Sequence, residues 1–194
     1  MRSSPNILLF QEIRSRWEKR RAEGVEMRTR DFAEELGIEE VELVGSGAGQ
    51  RFVEFLDLSA MEEWLPSLFQ MGSWMWLLRN EASVLEVDAS VVGTLGKDQI
   101  EIEGEALRIV LNRKSLGYAL YLQPLKGPPR SIQFYDTQGT AVLKIYLKDR
   151  ERRNATDAFL SPYALDSQPE YLELDSQSRE TALPASAEFG EALS

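Results

Sequence analysis

Neither histidine nor cysteine occurs anywhere in these 194 residues. Without cysteine there are no disulfides, thiolate nucleophiles or thiolate metal sites. Without histidine, Ser-His-Asp triads, Cys-His dyads, ordinary zinc sites and imidazole-ligated iron are all excluded. Chemistry is left to carboxylates, Lys, Arg, Tyr, Ser, Thr and Met. No apolar run approaches the length that crosses a bilayer, and Ile7-Leu8-Leu9-Phe10 is too short for a signal-peptide core. A cytoplasmic protein with no membrane partner is the expectation.

Positive charge is also in short supply. The chain has 22 Lys and Arg against 32 Asp and Glu, for a net charge of −10 and a pI near 4.7. That balance disfavours nucleic acid and anionic membranes as partners. Basic residues gather between positions 11 and 30, whereas Ser161 to Ser194 is acidic with Arg179 alone opposing it. Hydrophobic residues make up 43% of the chain, enough for one core. The expected organisation is a domain over residues 1–160, then a largely disordered acidic tail or linker over 161–194.

The first third reads as helices. Ser4 and Pro5 suit a helix start, and Phe10, Ile13 and Trp17 recur at helical spacing up to Gly24. A second helix runs from Thr29 as N-cap, packs Phe32, Ala33 and Leu36 inward and stops at Gly37. A third spans Ile38 to Val44, before Gly45-Ser46-Gly47-Ala48-Gly49, a glycine-rich stretch that reads as flexible. A capping box, Ser59 to Glu62, predicts a fourth, with Met61, Trp64, Leu65 and Leu68 as its apolar stripe and Gly72 as its end.

The period then changes from helical to alternating. Trp74-Leu78, Val84-Val87, Val91-Leu95, Ile100-Ile102, Ala106-Leu111, Tyr118-Leu122, Ser131-Tyr135 and Ala141-Leu147 read as short strands separated by turn residues. Helices first and strands afterwards predict an α+β fold with a large antiparallel sheet. A last helix is expected between Arg150 and Leu160.

Three stretches carry a family pattern. They are Arg30-Asp31-Phe32-Ala33-Glu34-Glu35-Leu36-Gly37, Leu77-Leu78-Arg79-Asn80-Glu81-Ala82-Ser83-Val84-Leu85-Glu86, and Ala106-Leu107-Arg108-Ile109-Val110-Leu111-Asn112-Arg113. The last is followed by Ser131-Ile132-Gln133-Phe134-Tyr135-Asp136, Gly139 and Lys144-Ile145-Tyr146. Their order and spacing over about residues 15–160 resemble the first half of a HemS/ChuX haemin-degrading or haem-trafficking protein. The resemblance implies haem as ligand, a role in iron acquisition and a homodimer in place of the two halves of long members. It also implies that Arg108 faces a haem cleft. The family usually has a histidine where Leu85 stands here and often another where Leu143 stands. The resemblance also implies that the second half of long members supplies the iron-ligating histidine, so ligation in the family's usual manner is not expected of these residues. A carrier is therefore expected more than a haem-degrading enzyme, with a haem-less dimeric scaffold or regulator as the alternative.

Candidate haem-contacting residues are Arg108, Arg79, Tyr118 and Tyr121. Alternation puts Arg108 opposite Leu107, Ile109 and Leu111, which leaves two readings open: a solvated cation, or a bidentate partner for a propionate. Tyrosine is the best remaining axial ligand for ferric haem, and Tyr118 and Tyr121 lie on opposite faces of one strand. Tyr135 and Tyr146 read as core or cleft wall, Met71 and Met75 as packing. Arg79 and Asn80 end a strand, where a turn role competes with ligand contact. Lys126 and Arg130 bracket a stiff loop. Glu101, Glu103 and Glu105 form a carboxylate ladder that reads better as a solvated edge than as a metal site. Asp31 to Ile38 resembles the start of a helix-turn-helix, but Glu39, Glu40 and Glu42 then stand where a recognition helix needs donors.

Overall fold

A computed structural model describes residues 9–24, 28–48, 53–80, 82–124 and 129–175. The expected helix start at Ser4-Pro5 lies outside them. Five helices are found there: α1 (Phe10–Ala22), α2 (Thr29–Leu36), α3 (Glu40–Gly45), α4 (Met61–Gln70) and α5 (Arg153–Leu160). Nine strands accompany them: β1 (Val53–Phe55), β2 (Trp74–Arg79), β3 (Val84–Ala89), β4 (Val91–Leu95), β5 (Gln99–Gly104), β6 (Arg108–Asn112), β7 (Leu116–Leu122), β8 (Arg130–Asp136) and β9 (Ala141–Leu147). The α+β expectation is met. The strands form two antiparallel sheets, a six-stranded one ordered β1-β7-β8-β9-β2-β3 and a three-stranded one ordered β4-β5-β6.

Both faces of the large sheet carry a core. On one face Trp74, Trp76, Tyr121, Ile132, Phe134, Leu143 and Ile145 meet α4, α5 and the inner side of the small sheet. Trp64 of α4 stacks on Phe134, and Phe69 packs against Trp76. On the other face α1, α2 and α3 bury Phe10, Ile13, Phe32 and Val41 against Val53, Phe55, Leu120 and Tyr135. These helices pack on β1, β7 and the Tyr135 end of β8, while the Ser131–Gln133 end of β8 and the strands beyond it line an open face.

Several local expectations change in the fold. α2 starts at Thr29, but the N-cap is Arg28 and no side chain caps it, while Gly37 closes it in the left-handed region at φ 67°. Ser59 does not cap α4, whose N-cap is Ala60. Its hydroxyl and amide instead donate to Asp57, and those bonds hold the Asp57 carboxyl below its ordinary range. Gly45 and Ser46 are buried, not flexible: a Cβ on Gly45 would come 2.7 Å from the Phe55 ring and 2.9 Å from Phe10. β1 is an addition, three residues long and too short to announce itself. β6 starts at Arg108, because Gly104 and Leu107 close a turn just before it.

The stretch from Ser161 to Asp175, expected to open a disordered tail, is laid along the domain. Leu165 N–H donates to Phe55 O, and the Gln168 side chain bonds both the N–H and the carbonyl of Phe55. Further on, Phe10 N–H donates to Glu170 O and Asp175 N–H to Thr137 O. Leu172 and Leu174 pack on the helical core. These contacts satisfy backbone groups that the short edge strand β1 would otherwise leave unpaired.

Candidate ligand-binding surfaces

Alternation along the small sheet sorts its side chains cleanly. Ile100, Ile102, Ile109 and Leu111 point into the core, which sends Glu101, Glu103, Arg108 and Val110 outward. Register then sets the neighbours. Val92, Glu103 and Arg108 form one row across β4, β5 and β6, and Thr94, Glu101 and Val110 form the next. Arg108 Nε donates to Glu103 at 3.2 Å and its Nη2 to Glu101 at 3.5 Å. The guanidinium side chain is 66% exposed, and the same face presents Val110 (45%) next to it on β6 and Val92 (68%) across Glu103 on β4. Arg108 is thus a cation on an open, part-apolar face, held by two carboxylates in water, where such pairs are weak. Glu105 lies past the end of β5. Among the described residues no carboxylate group is arranged to hold a metal ion.

A second surface lies on the open half of the large sheet. Trp74 and Trp76 face the core, so Met75, Leu77 and Arg79 face the other way. Register lines up Gln133, Lys144, Leu77 and Glu86 across β8, β9, β2 and β3. Walled by the start of α2 and α3, this floor makes a cleft of about 560 Å³. Tyr135 O–H donates to Gln133 at 2.6 Å and Gln133 to Ser131 at 3.0 Å, a buried polar chain along β8. Lys144 donates to Glu40 of α3 at 2.6 Å. Tyr146 also lines the cleft, and its hydroxyl makes no hydrogen bond among the described residues. Burial, then Glu40 and Glu86, push its pKa up, against a lowering by Arg79.

The four candidate contacts are not brought together. Arg108 is on the small sheet, and Arg79 lines the large-sheet cleft. Tyr118 faces the helical core, edge-on to Phe55, and its hydroxyl donates to Glu173 O at 3.1 Å. Tyr121, on the opposite face, is 1% exposed and donates to Asp157 at 2.5 Å. Burial and the Asp157 carboxylate both push its pKa far up, which works against a phenolate. Asp157 also takes a bidentate pair from Arg130, at 2.7 and 2.8 Å, so Arg130 is an internal anchor. Tyr146, read from sequence as wall or core, is the cleft-lining phenol. Asn80 is a turn former, accepting from the amides of Ala82 and Ser83. Lys126 lies outside the described residues. The helix pair α2–α3 turns its Glu40 inward to Lys144 and packs on the sheet, so it does not offer a recognition helix.

The fold is one α+β unit with an open sheet face and a separate, cation-bearing small sheet. Comparison with known proteins assigns it. Residues 37–163 match the haemin-degrading HemS.ChuX domain, and the chain belongs to that family. It is 28% identical over 151 residues to the hemin transport protein HmuS of Yersinia pestis, covering 72% of this chain and 41% of HmuS. The crystal structure of holo-PhuS, a heme-binding protein from Pseudomonas aeruginosa, superposes with a TM-score of 0.75 at 27% identity, covering 86% of this chain and 49% of PhuS. The heme-binding protein ChuX shares the fold at 15% identity, with a TM-score of 0.61 over 80% of this chain and 97% of ChuX. The chain therefore spans under half of HmuS and about half of PhuS.

Proposed function

We propose that this protein binds haem as cargo and passes it on, in the cytoplasm and as a homodimer. Family membership supports haem as the ligand. The observation that carries the site is Arg108, exposed on the outer face of the small sheet with Val110 two residues along its own strand and Val92 beyond Glu103 in its row. A guanidinium there suits a propionate, which accepts two parallel N–H bonds, and the valines suit the edge of a porphyrin. The fit is partial. The propionate and the macrocycle find partners, but the chain has no imidazole or thiolate for iron. Binding through periphery without a strong axial ligand favours custody and release over turnover.

Titration with ferric haem, followed through the Soret band, tests this reading. Saturable binding at one haem per chain or per dimer is expected, with Arg108→Ala weakening it about tenfold. No Soret change would overturn it. Trp74 and Trp76 are both buried in the core, so absorbance is the cleaner signal than tryptophan quenching. A haem-less dimeric scaffold is the second reading, favoured by the missing histidine. It predicts an intact dimer in sedimentation with no Soret response.

A further inference from the structure

The large-sheet cleft is not needed for the haem reading, yet it is built like a site. The helix-covered half of this face is apolar, with Val53, Phe55 and Leu120. The open half carries Ser131 and Gln133, only 2% and 5% exposed, in a hydrogen-bonded chain. Polar side chains that deep in a sheet face are destabilising unless satisfied, so their placement calls for a reason.

The reason lies in which atoms are left over. Gln133 O is used by Tyr135, and one amide proton is used by Ser131, which leaves a second amide proton. Ser131 O accepts from Gln133, so its own proton is free to turn into the cleft. Tyr146 adds a phenol O–H. Around this floor stand Arg28, Arg30, Arg79 and Lys144 against Glu40 and Glu86. Lys144 is paired with Glu40, and Arg28, Arg30 and Arg79 have no ion-pair partner among the described residues. A cleft with four cations and two carboxylates, in a chain of net charge −10, is a local reversal of sign. It presents protons and positive charge, which is what an acceptor-only oxyanion requires. Leu77, Val84, Val53 and Leu122 complete the lining and give an apolar body somewhere to rest. The volume falls within the range of small-molecule sites.

The geometry points to a second binding site in this cleft, for a small organic carboxylate with an apolar body, separate from the Arg108 face. Arg79 and Arg30 hold the carboxylate, Ser131, Gln133 and Tyr146 donate to it, and the aliphatic wall takes the rest.

Backbone-amide NMR titration of the full chain tests this with three probes: benzoate, acetate and the neutral isostere benzamide. Benzoate is expected to shift the amides of residues 77–79, 131–133 and 144–146. It should bind about fivefold or more tightly than acetate, from burial of the ring, and benzamide should leave those amides unmoved. Arg79→Gln should weaken benzoate about tenfold, whereas Lys114→Ala, at an exposed cation of the short turn before β7, should not. Equal response to benzamide, equal affinity for acetate, or indifference to Arg79→Gln would overturn the site. Arg79→Gln should keep its full Soret response to ferric haem, so this site and the haem reading stand or fall apart.

Discussion

Arg108 and Glu103 stand directly opposite one another on β6 and β5, with the guanidinium Nε 3.2 Å from the carboxylate and Glu101, two residues along β5, 3.5 Å from Nη2. The cation proposed to meet a propionate is therefore already engaged by two internal competitors. A ligand must displace them, and its affinity reflects the difference between the two pairings.

The first prediction follows directly. Glu101→Gln with Glu103→Gln should tighten ferric haem binding by a few fold, because the competing carboxylates are gone. The pairs are exposed, so thermal stability should change by less than about 1 kcal/mol. Weaker binding in the double variant, read from the Soret titration, would show that the glutamates help hold the ligand.

A second prediction concerns the anchor of α5. Tyr121 and Arg130 both donate to Asp157, across 36 and 27 residues of sequence. Tyr121→Phe removes one bond and should cost about 1 kcal/mol in urea unfolding. Asp157→Ala strips the acceptor from a buried phenol and a largely buried guanidinium together, and should cost about 3 kcal/mol. Equal losses in the two variants would mean that Arg130 gains nothing from the pair.

Glu54 supplies a pH dependence. Burial, with the nearby Asp157 carboxylate, raises its pKa, against a lowering by the bond from Gln123. An acid whose folded pKa is raised holds its proton more tightly in the folded state, so its contribution declines as pH rises through the carboxylate range. Glu54→Gln should remove that decline. The variant should melt higher than the parent near pH 7 and show no such gain at about pH 3, where the parent's carboxyl is protonated in both states. A gain of the same size at both pH values would refute the assignment.

Gly45 tests the packing of α3 on the sheet. The Phe10 and Phe55 rings both lie inside 3 Å of where an alanine methyl would sit, so Gly45→Ala forces two core aromatics apart. A loss of about 1–3 kcal/mol is expected by chemical denaturation. An unchanged midpoint would mean that the rings yield freely.

The wrap of residues 161–175 can be tested by Gln168→Ala. Its amide satisfies both backbone groups of Phe55, which lies on the edge strand β1. Losing both bonds should lower stability by about 1–2 kcal/mol, with faster amide exchange at Phe55 as the local signature. Unaltered exchange there would show that the wrap does not protect the edge.

The features legible from the residues alone are local or compositional. Period-two alternation put Arg108 on the face opposite Ile109 and Leu111, and the left-handed residue after α2 had to be Gly37. The family pattern was readable because it spans long contiguous stretches, and the missing histidine needed no structure at all. Tertiary structure decided what depends on partners far away in the chain. Periodicity puts Tyr118 and Tyr121 on opposite faces of one strand, but it does not say which face is the core, nor that Asp157 waits there to accept the Tyr121 hydroxyl's hydrogen bond. It cannot place Arg79 and Arg108 on different sheets, because strand order is set by pairing across many residues. Nor can composition foresee the course of 161–175, a polar stretch ordered by Phe55, 113 residues before the glutamine that caps it. Alternation and capping act over a few residues, while pairing and burial join any two segments the fold brings together.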